Sequence, residues 1–226
     1  MTNATLLPGA HGFRRRLRAV LTFLALLALR AACRIAVDGA DNVPGRGAVI
    51  LVGNHVNPVE APLIAGSLPR SDLWVVVSDH LRQRRVLRRV LDLMYDILWL
   101  NRLNGRAELL ARAPPMLAAG RVVALMPEGR YSWNGRLGAG EDGAALLAFR
   151  TGAVLVPVVT IGLEQLPRSL KKFGRCTVAV RFGSPVHVPY LPNPTPTEIS
   201  GATSEIMQAL ARLLPAAKRG RWRTPQ

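Results

Sequence analysis

Four short apolar runs, at 48–52, 73–77, 122–126 and 154–159, constrain the fold more than any other feature of this chain. Each is bounded by turn-forming or strongly charged residues. Each is five or six residues long and rich in valine, which suits a strand better than a buried helix. A strand that is apolar at successive positions has both faces covered, and helices are the usual cover. A fifth stretch, 95–100, reads the same way. A sixth, 177–182, alternates apolar and polar residues and predicts a strand with one face exposed. Between these runs, 58–67, 82–94, 105–119, 144–149 and 198–214 read as helices, with a break predicted at Pro114-Pro115. The predicted class is α/β: a mixed, largely parallel sheet covered by helices.

The 226 residues fit one domain with a real core, since 49% are hydrophobic and only 19% charged. The formal net charge is +16, and nearly all of it is arginine; the only lysines are Lys171, Lys172 and Lys218. Such a surface calls for an anionic partner: nucleic acid, an anionic membrane or a phosphate-bearing substrate. Aromatics are 5% and do not interleave with the arginines, so the stacking platforms of single-strand nucleic-acid binders are missing. No phosphate-loop or zinc-finger spacing occurs. Cys33 and Cys176 stand far apart and make no cysteine framework, for which a reducing compartment is the default.

Residues 1–12 read as a flexible leader. Over 13–36 a basic amphipathic helix is predicted, with Arg14, Arg15, Arg16 and Arg18 ahead of an apolar run closed by Arg30. That run is eleven residues long, against the roughly 20 that a spanning helix needs. It suits a helix lying in a membrane interface, its arginines among anionic head groups. Arginines at 82, 84, 85, 88 and 89 accompany apolar residues at 86, 87, 90, 91 and 94, a second basic amphipathic segment.

Chemistry is concentrated at strand ends. Asn54-His55 leaves the 48–52 run, and Glu60 follows one helical turn later. A histidine base oriented by a carboxylate needs that kind of proximity. Asn101-Arg102 leaves the 95–100 run, where the planar guanidinium suits a phosphate. Pro127-Glu128-Gly129-Arg130 leaves the 122–126 run. Val156-Pro157-Val158 lies within the 154–159 run. These four blocks, in this order, resemble those of the glycerol-phosphate and lysophospholipid acyltransferase family. Gly143-Ala144-Ala145 and Arg181-Phe182-Gly183-Ser184-Pro185 resemble its smaller features, and the likeness runs from about Val37 to Pro189.

The resemblance implies a domain over 37–214, followed by a basic tail over 215–226. It implies His55 as general base and Glu60 as its partner. Asn54, Arg102, Glu128, Gly129, Arg130 and Pro157 would bind substrate, and there would be no metal. No cofactor is implied beyond an acyl-CoA or acyl-carrier-protein cosubstrate. The expected partners are an anionic membrane surface, the acyl-donor thioester and a lysophospholipid acceptor, with no nucleic acid. The expected place is the cytoplasmic face of the cell membrane, peripheral or monotopic. Three departures from the family pattern stand out. Glu60 replaces the usual aspartate, Arg130-Tyr131 replaces threonine-arginine, and Glu141-Asp142 precedes Gly143 where a base is common. The first two motivate an alternative, a catalytically silent lipid-binding relative. The charge alone motivates another, a nucleic-acid-binding protein with salt-sensitive affinity.

Overall fold

A computed structural model describes residues 8–101, 103–172 and 174–222. Seven strands form one sheet: β1 (Cys33–Asp38), β2 (Val49–Gly53), β3 (Leu73–Ser78), β4 (Asp96–Leu100), β5 (Val122–Leu125), β6 (Val154–Ile161) and β7 (Cys176–Phe182). Their order across the sheet is β1-β7-β6-β2-β5-β3-β4. Five strands, from β6 to β4, run parallel to one another, and β7 meets β6 antiparallel, with β1 parallel to β7. All six predicted strands are present, and the sheet is mixed and largely parallel, as the apolar runs require.

Along β2 the side chains alternate between two cores. Ile50 and Val52 join the cluster beneath α4 (Gly105–Arg112), α5 (Pro114–Ala118), α6 (Gly143–Thr151) and α8 (Pro196–Leu213). Val49 and Leu51 join the cluster on the opposite face, with α1 (Pro8–Ala32) and α2 (Glu60–Ser67). Two covered faces explain why the central strands read as unbroken apolar runs rather than alternating ones. The remaining helices are α3 (Arg85–Met94) and α7 (Leu166–Lys171). The break at Pro114-Pro115 is real, with α5 starting on the prolines. A capping box starts α8: the Thr195 hydroxyl accepts from the Glu198 amide, and the Glu198 carboxylate accepts from the Thr195 amide.

Boundaries differ from the sequence prediction, most clearly at three places. The N-terminal helix begins at Pro8, inside the predicted leader, whose first seven residues lie outside the described ones. It ends at Ala32, because residues 33–36 pair with β7 as part of β1 instead of continuing the helix. Tyr95 closes α3, its amide donating to Leu91 O, and β4 starts one residue later. The ladder also sets Cys33 opposite Cys176, and the two are joined in a disulfide across a Cα separation of 4.5 Å. No spacing rule foresees a pairing over 143 residues.

Helix α1 packs tightly on α2, where Leu26 lies over Gly66: a Cβ on that glycine would stand 2.1 Å from Leu26 Cδ1. Arg18 is not a free head-group ligand, as its place in a basic run suggests. Its guanidinium bonds Asp96 at 2.7 Å and the carbonyl of Tyr95 at 3.1 Å, fastening α1 to the α3–β4 corner. No helix among the described residues is long and apolar enough to cross a membrane.

Two glycines separate backbone necessity from backbone permissiveness. Gly162 has φ +89°, and a Cβ there would come within 2.0 Å of Thr177 O. Gly201 sits inside α8 with nothing within 4 Å of its would-be Cβ. Urea unfolding should therefore show Gly162→Ala destabilised by about 2 kcal/mol or more. Gly201→Ala should be stabilised by about 0.5–1 kcal/mol.

Candidate active site

The C-terminal ends of β2, β5 and β6 lie side by side, and the polar residues collect there. This is the edge at which open parallel sheets bind ligands. Gly53 closes β2, and its missing side chain matters, since a Cβ would stand 2.9 Å from Met126 Sδ and 3.2 Å from Val158 O. Asn54 then behaves as a strand residue made from a side chain. Its amide nitrogen donates to Thr160 O at 3.0 Å and its amide oxygen accepts from Thr160 N–H at 2.8 Å. The ladder with β6 thus continues one residue beyond the strand and delivers His55 at a fixed height.

Glu60 is the first residue of α2 and is only 1% exposed. Its Oε1 accepts from the amides of Val56 and Asn57, the latter at 2.8 Å, and from the Thr160 hydroxyl at 3.4 Å. Its Oε2 lies 2.9 Å from His55 Nδ1. A buried carboxylate with these donors, at the positive end of a helix, is a satisfied anion. An ionised carboxylate can only accept, so Nδ1 carries the hydrogen and Nε2 presents its lone pair. That is the tautomer a general base requires.

A second carboxylate braces the other side. Glu128 Oε1 accepts from the His55 amide at 3.0 Å, and Oε2 accepts from the Gly138 amide at 2.7 Å. Burial, helped by the Glu60 charge, pushes its pKa up more than these two N–H groups pull it down. Gly129, at φ +64°, turns the chain directly afterwards. The Ser132 amide donates to His55 O at 2.6 Å, and the Tyr131 ring stacks on the imidazole with centroids 3.7 Å apart. Trp133 stacks in turn on Tyr131 at 5.0 Å and is 70% exposed. Burial and the Glu60 charge raise the Tyr131 pKa, so the phenol stays protonated beside the base.

Of the residues expected at the site, Asn54, His55, Glu60, Glu128 and Gly129 come together. Asn54 and Glu128 face backbone groups and hold the site in shape; their polar atoms are already occupied. Arg130 is exposed beside the turn. Pro157 is buried in β6 opposite Val52, and its ring lies against Gly183, where a Cβ would stand 2.9 Å away. Asn101 follows β4, three strand spacings from β2, about 14 Å along the same edge. Arg102 lies outside the described residues. Thr160, Asn57 and the Gly138 amide are parts that the motifs do not announce. Tyr131 shows in the sequence only as a departure from pattern. Among the described residues, no group of three or more His, Cys, Asp or Glu is placed to hold a metal ion.

A family model described as acyltransferase matches residues 34–161. A 1-acyl-sn-glycerol-3-phosphate acyltransferase of Borreliella burgdorferi is 26% identical over 133 residues, 57% of this chain and 51% of that protein. An uncharacterised protein of Mycobacterium bovis, Mb0514, is 29% identical over 147 residues, 59% of this chain and 38% of its own length. The chain thus matches about half, or less, of these relatives. Among solved structures, the 1-acyl-sn-glycerophosphate (LPA) acyltransferase PlsC of Thermotoga maritima has the same fold. Its TM-score is 0.65 at 17% identity, with 92% of this chain and 84% of that one covered. The matched segment holds more than half of the chain, from β1 to the end of β6, and includes the His55–Glu60 pair and both of its braces: this chain belongs to the acyltransferase family.

Proposed function

We propose that this protein is an O-acyltransferase that moves a fatty acyl group from a thioester, acyl-CoA or acyl-carrier protein, to a lysophospholipid hydroxyl. The acceptor we assign is 1-acyl-glycerol-3-phosphate, the substrate for which the Borreliella relative is named, which makes phosphatidic acid the product. The carrying observation is the His55–Glu60 pair, with Nδ1 tied to a buried carboxylate and Nε2 left as the base.

The chemistry follows from that geometry. Nε2 takes the proton of the acceptor hydroxyl as its oxygen bonds to the thioester carbonyl carbon. The carbonyl oxygen carries the developing negative charge through a tetrahedral intermediate. The C–S bond then breaks, and the sulfur leaves as a thiol with the proton returned by His55. Glu60 steadies the imidazolium between the two transfers. The donor is already activated, so no cofactor enters the scheme. Glu60, where the family pattern has aspartate, holds both the imidazole and the turn amides, which supports a working site over a silent one.

The reading places the protein on the cytoplasmic face of a membrane. Val20, Phe23, Leu24 and Leu27 form an exposed apolar stripe on α1, and Val86, Val90 and Leu93 form one on α3. Arg85, Arg88, Arg89 and Asp92 line a surface cavity beside the second stripe, and Asp92 pairs with Arg88 at 3.4 Å. Apolar stripes flanked by arginine suit anionic head groups over acyl chains. In a reducing compartment Cys33 and Cys176 would stand as apposed thiols, since the β1–β7 ladder sets their spacing.

Purified protein given acyl-CoA and lysophosphatidic acid should release thiol and form phosphatidic acid, and His55→Ala should abolish both. No turnover with any lysolipid acceptor would end the acyltransferase reading. Glu60→Gln turns an N–H₂ group toward either His55 Nδ1 or the turn amides, so kcat should fall by about 10²–10⁴-fold. Glu60→Asp keeps the charge and should retain more activity than Glu60→Gln; equal activities would show that the carboxylate does not orient the base. Vesicle sedimentation tests the surface. Replacing Arg85, Arg88 and Arg89 by glutamine should weaken binding to anionic vesicles by roughly a hundredfold, at about 1 kcal/mol per arginine. Binding to zwitterionic vesicles should barely change.

A further inference from the structure

Residues 215–222 are docked, and they dock on the active-site loop. After α8 the chain makes a 3₁₀ turn at Ala216–Lys218 and returns beside residues 135–138. The Leu137 amide donates to Lys218 O at 2.9 Å, and the Trp222 indole N–H donates to Gly138 O at 2.7 Å. Gly220 has φ +58°, and a Cβ there would stand 2.0 Å from Leu137 O, so the contact is close enough to require glycine. Leu137 is 3% exposed in a small core with Val159, Met207, Leu210 and Leu214, against which Trp222 packs.

A charge pair sits underneath. Lys218 Nζ bonds Glu164 Oε1, with the side chains 22% and 12% exposed. A Cβ on Gly135 would stand 3.1 Å from Lys218 Nζ and 3.2 Å from Glu164 Cδ, so the pair lies directly against the Ser132–Gly135 turn. That turn is closed by the Gly135 amide donating to Ser132 O at 2.9 Å. Glu164 itself follows the end of β6, four residues beyond Thr160.

Two short routes run from these contacts to the histidine. One passes from Trp222 to Gly138, then through Glu128 to the His55 amide. The other passes from the Lys218–Glu164 pair to the Ser132 turn, then to the His55 carbonyl. Both ends of one residue's backbone are therefore held by a loop that the tail holds. We infer that residues 215–222 are a strap that positions the 129–138 loop, and that Lys218 and Trp222 are positioning residues for acyl transfer. The strap touches no reacting atom. It keeps Tyr131 stacked on the imidazole and Nε2 aimed at the acceptor. Removing Lys218 would leave the Glu164 carboxylate half-enclosed without its cation, and the turn above it would lose its support.

The kinetic arm of the test rests on the acyltransferase reading; the exchange arm does not. Amide hydrogen exchange on the full-length chain should be roughly tenfold or more faster across 129–138 in Lys218→Ala than in the parent. It should be near the parent rate in Lys218→Arg and in the exposed control Arg221→Ala. In turnover assays, Lys218→Ala should lose about ten- to a hundredfold in kcat, with KM for the thioester within twofold, as expected for a misaimed base. Lys218→Arg should recover most of the loss. Trp222→Phe keeps an aromatic ring against the core and deletes the bond to Gly138, so it serves if Lys218→Ala does not fold; the same loop should exchange faster. Unchanged exchange across 129–138 in the folded variants overturns the strap. Faster exchange with kcat within twofold of the parent overturns its positioning role. If the parent turns over no lysolipid, the functional reading fails, and the exchange result alone decides whether the strap exists.

Discussion

A single buried carboxylate does the most to shape this site. Glu60 lies in an apolar layer, where an ionised group is costly unless donors surround it. Its donors come from three sources: the turn amides of Val56 and Asn57, the Thr160 hydroxyl of β6, and the His55 ring. The first set makes the turn between β2 and α2 fold in one way. The last fixes a tautomer. Folding and the proposed catalysis therefore draw on the same charge, with one oxygen serving the backbone and the other the imidazole. The methylene that distinguishes Glu60 from an aspartate gives the carboxylate reach for both tasks from the first position of a helix.

The sheet supplies the rest of the alignment. β2 has β5 on one side and β6 on the other, so residues just past three adjacent strand ends meet without a long loop. Asn54 extends the β2–β6 ladder with its side chain, and Glu128 reaches from the end of β5 to the His55 amide. His55 is held at its ring by Glu60 and at its amide and carbonyl by Glu128 and Ser132 of the loop after β5. A base held at three points keeps its aim when substrate enters, which is how positioning lowers a barrier.

Much of this was legible in the sequence, and the gaps have physical reasons. The central strands read as apolar runs because helices cover both of their faces. β1 did not read as a strand because it is an edge strand, and Arg34, Ala36 and Val37 are exposed. The His/Glu spacing and the Pro-Glu-Gly turn marked the site. The resemblance assigned Asn54 and Glu128 to substrate, and residue type could not correct it, since an amide or a carboxylate at a strand end looks the same whether it faces a ligand or a backbone N–H. Thr160 and Gly138 carry no motif and act through position only. The pairing of Cys33 with Cys176 depends on strand register, and the docking of the tail depends on a tertiary surface. Neither exists before the chain is folded.

The Tyr131 substitution bears on which acceptor the proposed reaction can use. Its ring covers one face of the imidazole, so a hydroxyl must approach Nε2 along the plane of the ring. Trp133 continues the aromatic surface outward to solvent, and Arg130 is exposed beside the turn. An acceptor that presents a hydroxyl between an apolar chain and an anionic group matches that sequence of surfaces: chain against the aromatics, hydroxyl at the base, charge toward the guanidinium. A small polar acceptor without the chain would leave the aromatic ledge unused and lose its main hold on the site. Tyr131, one of the departures from the family pattern, thus favours an amphipathic acceptor for the proposed reaction, because its ring and that of Trp133 offer apolar contact beside the base.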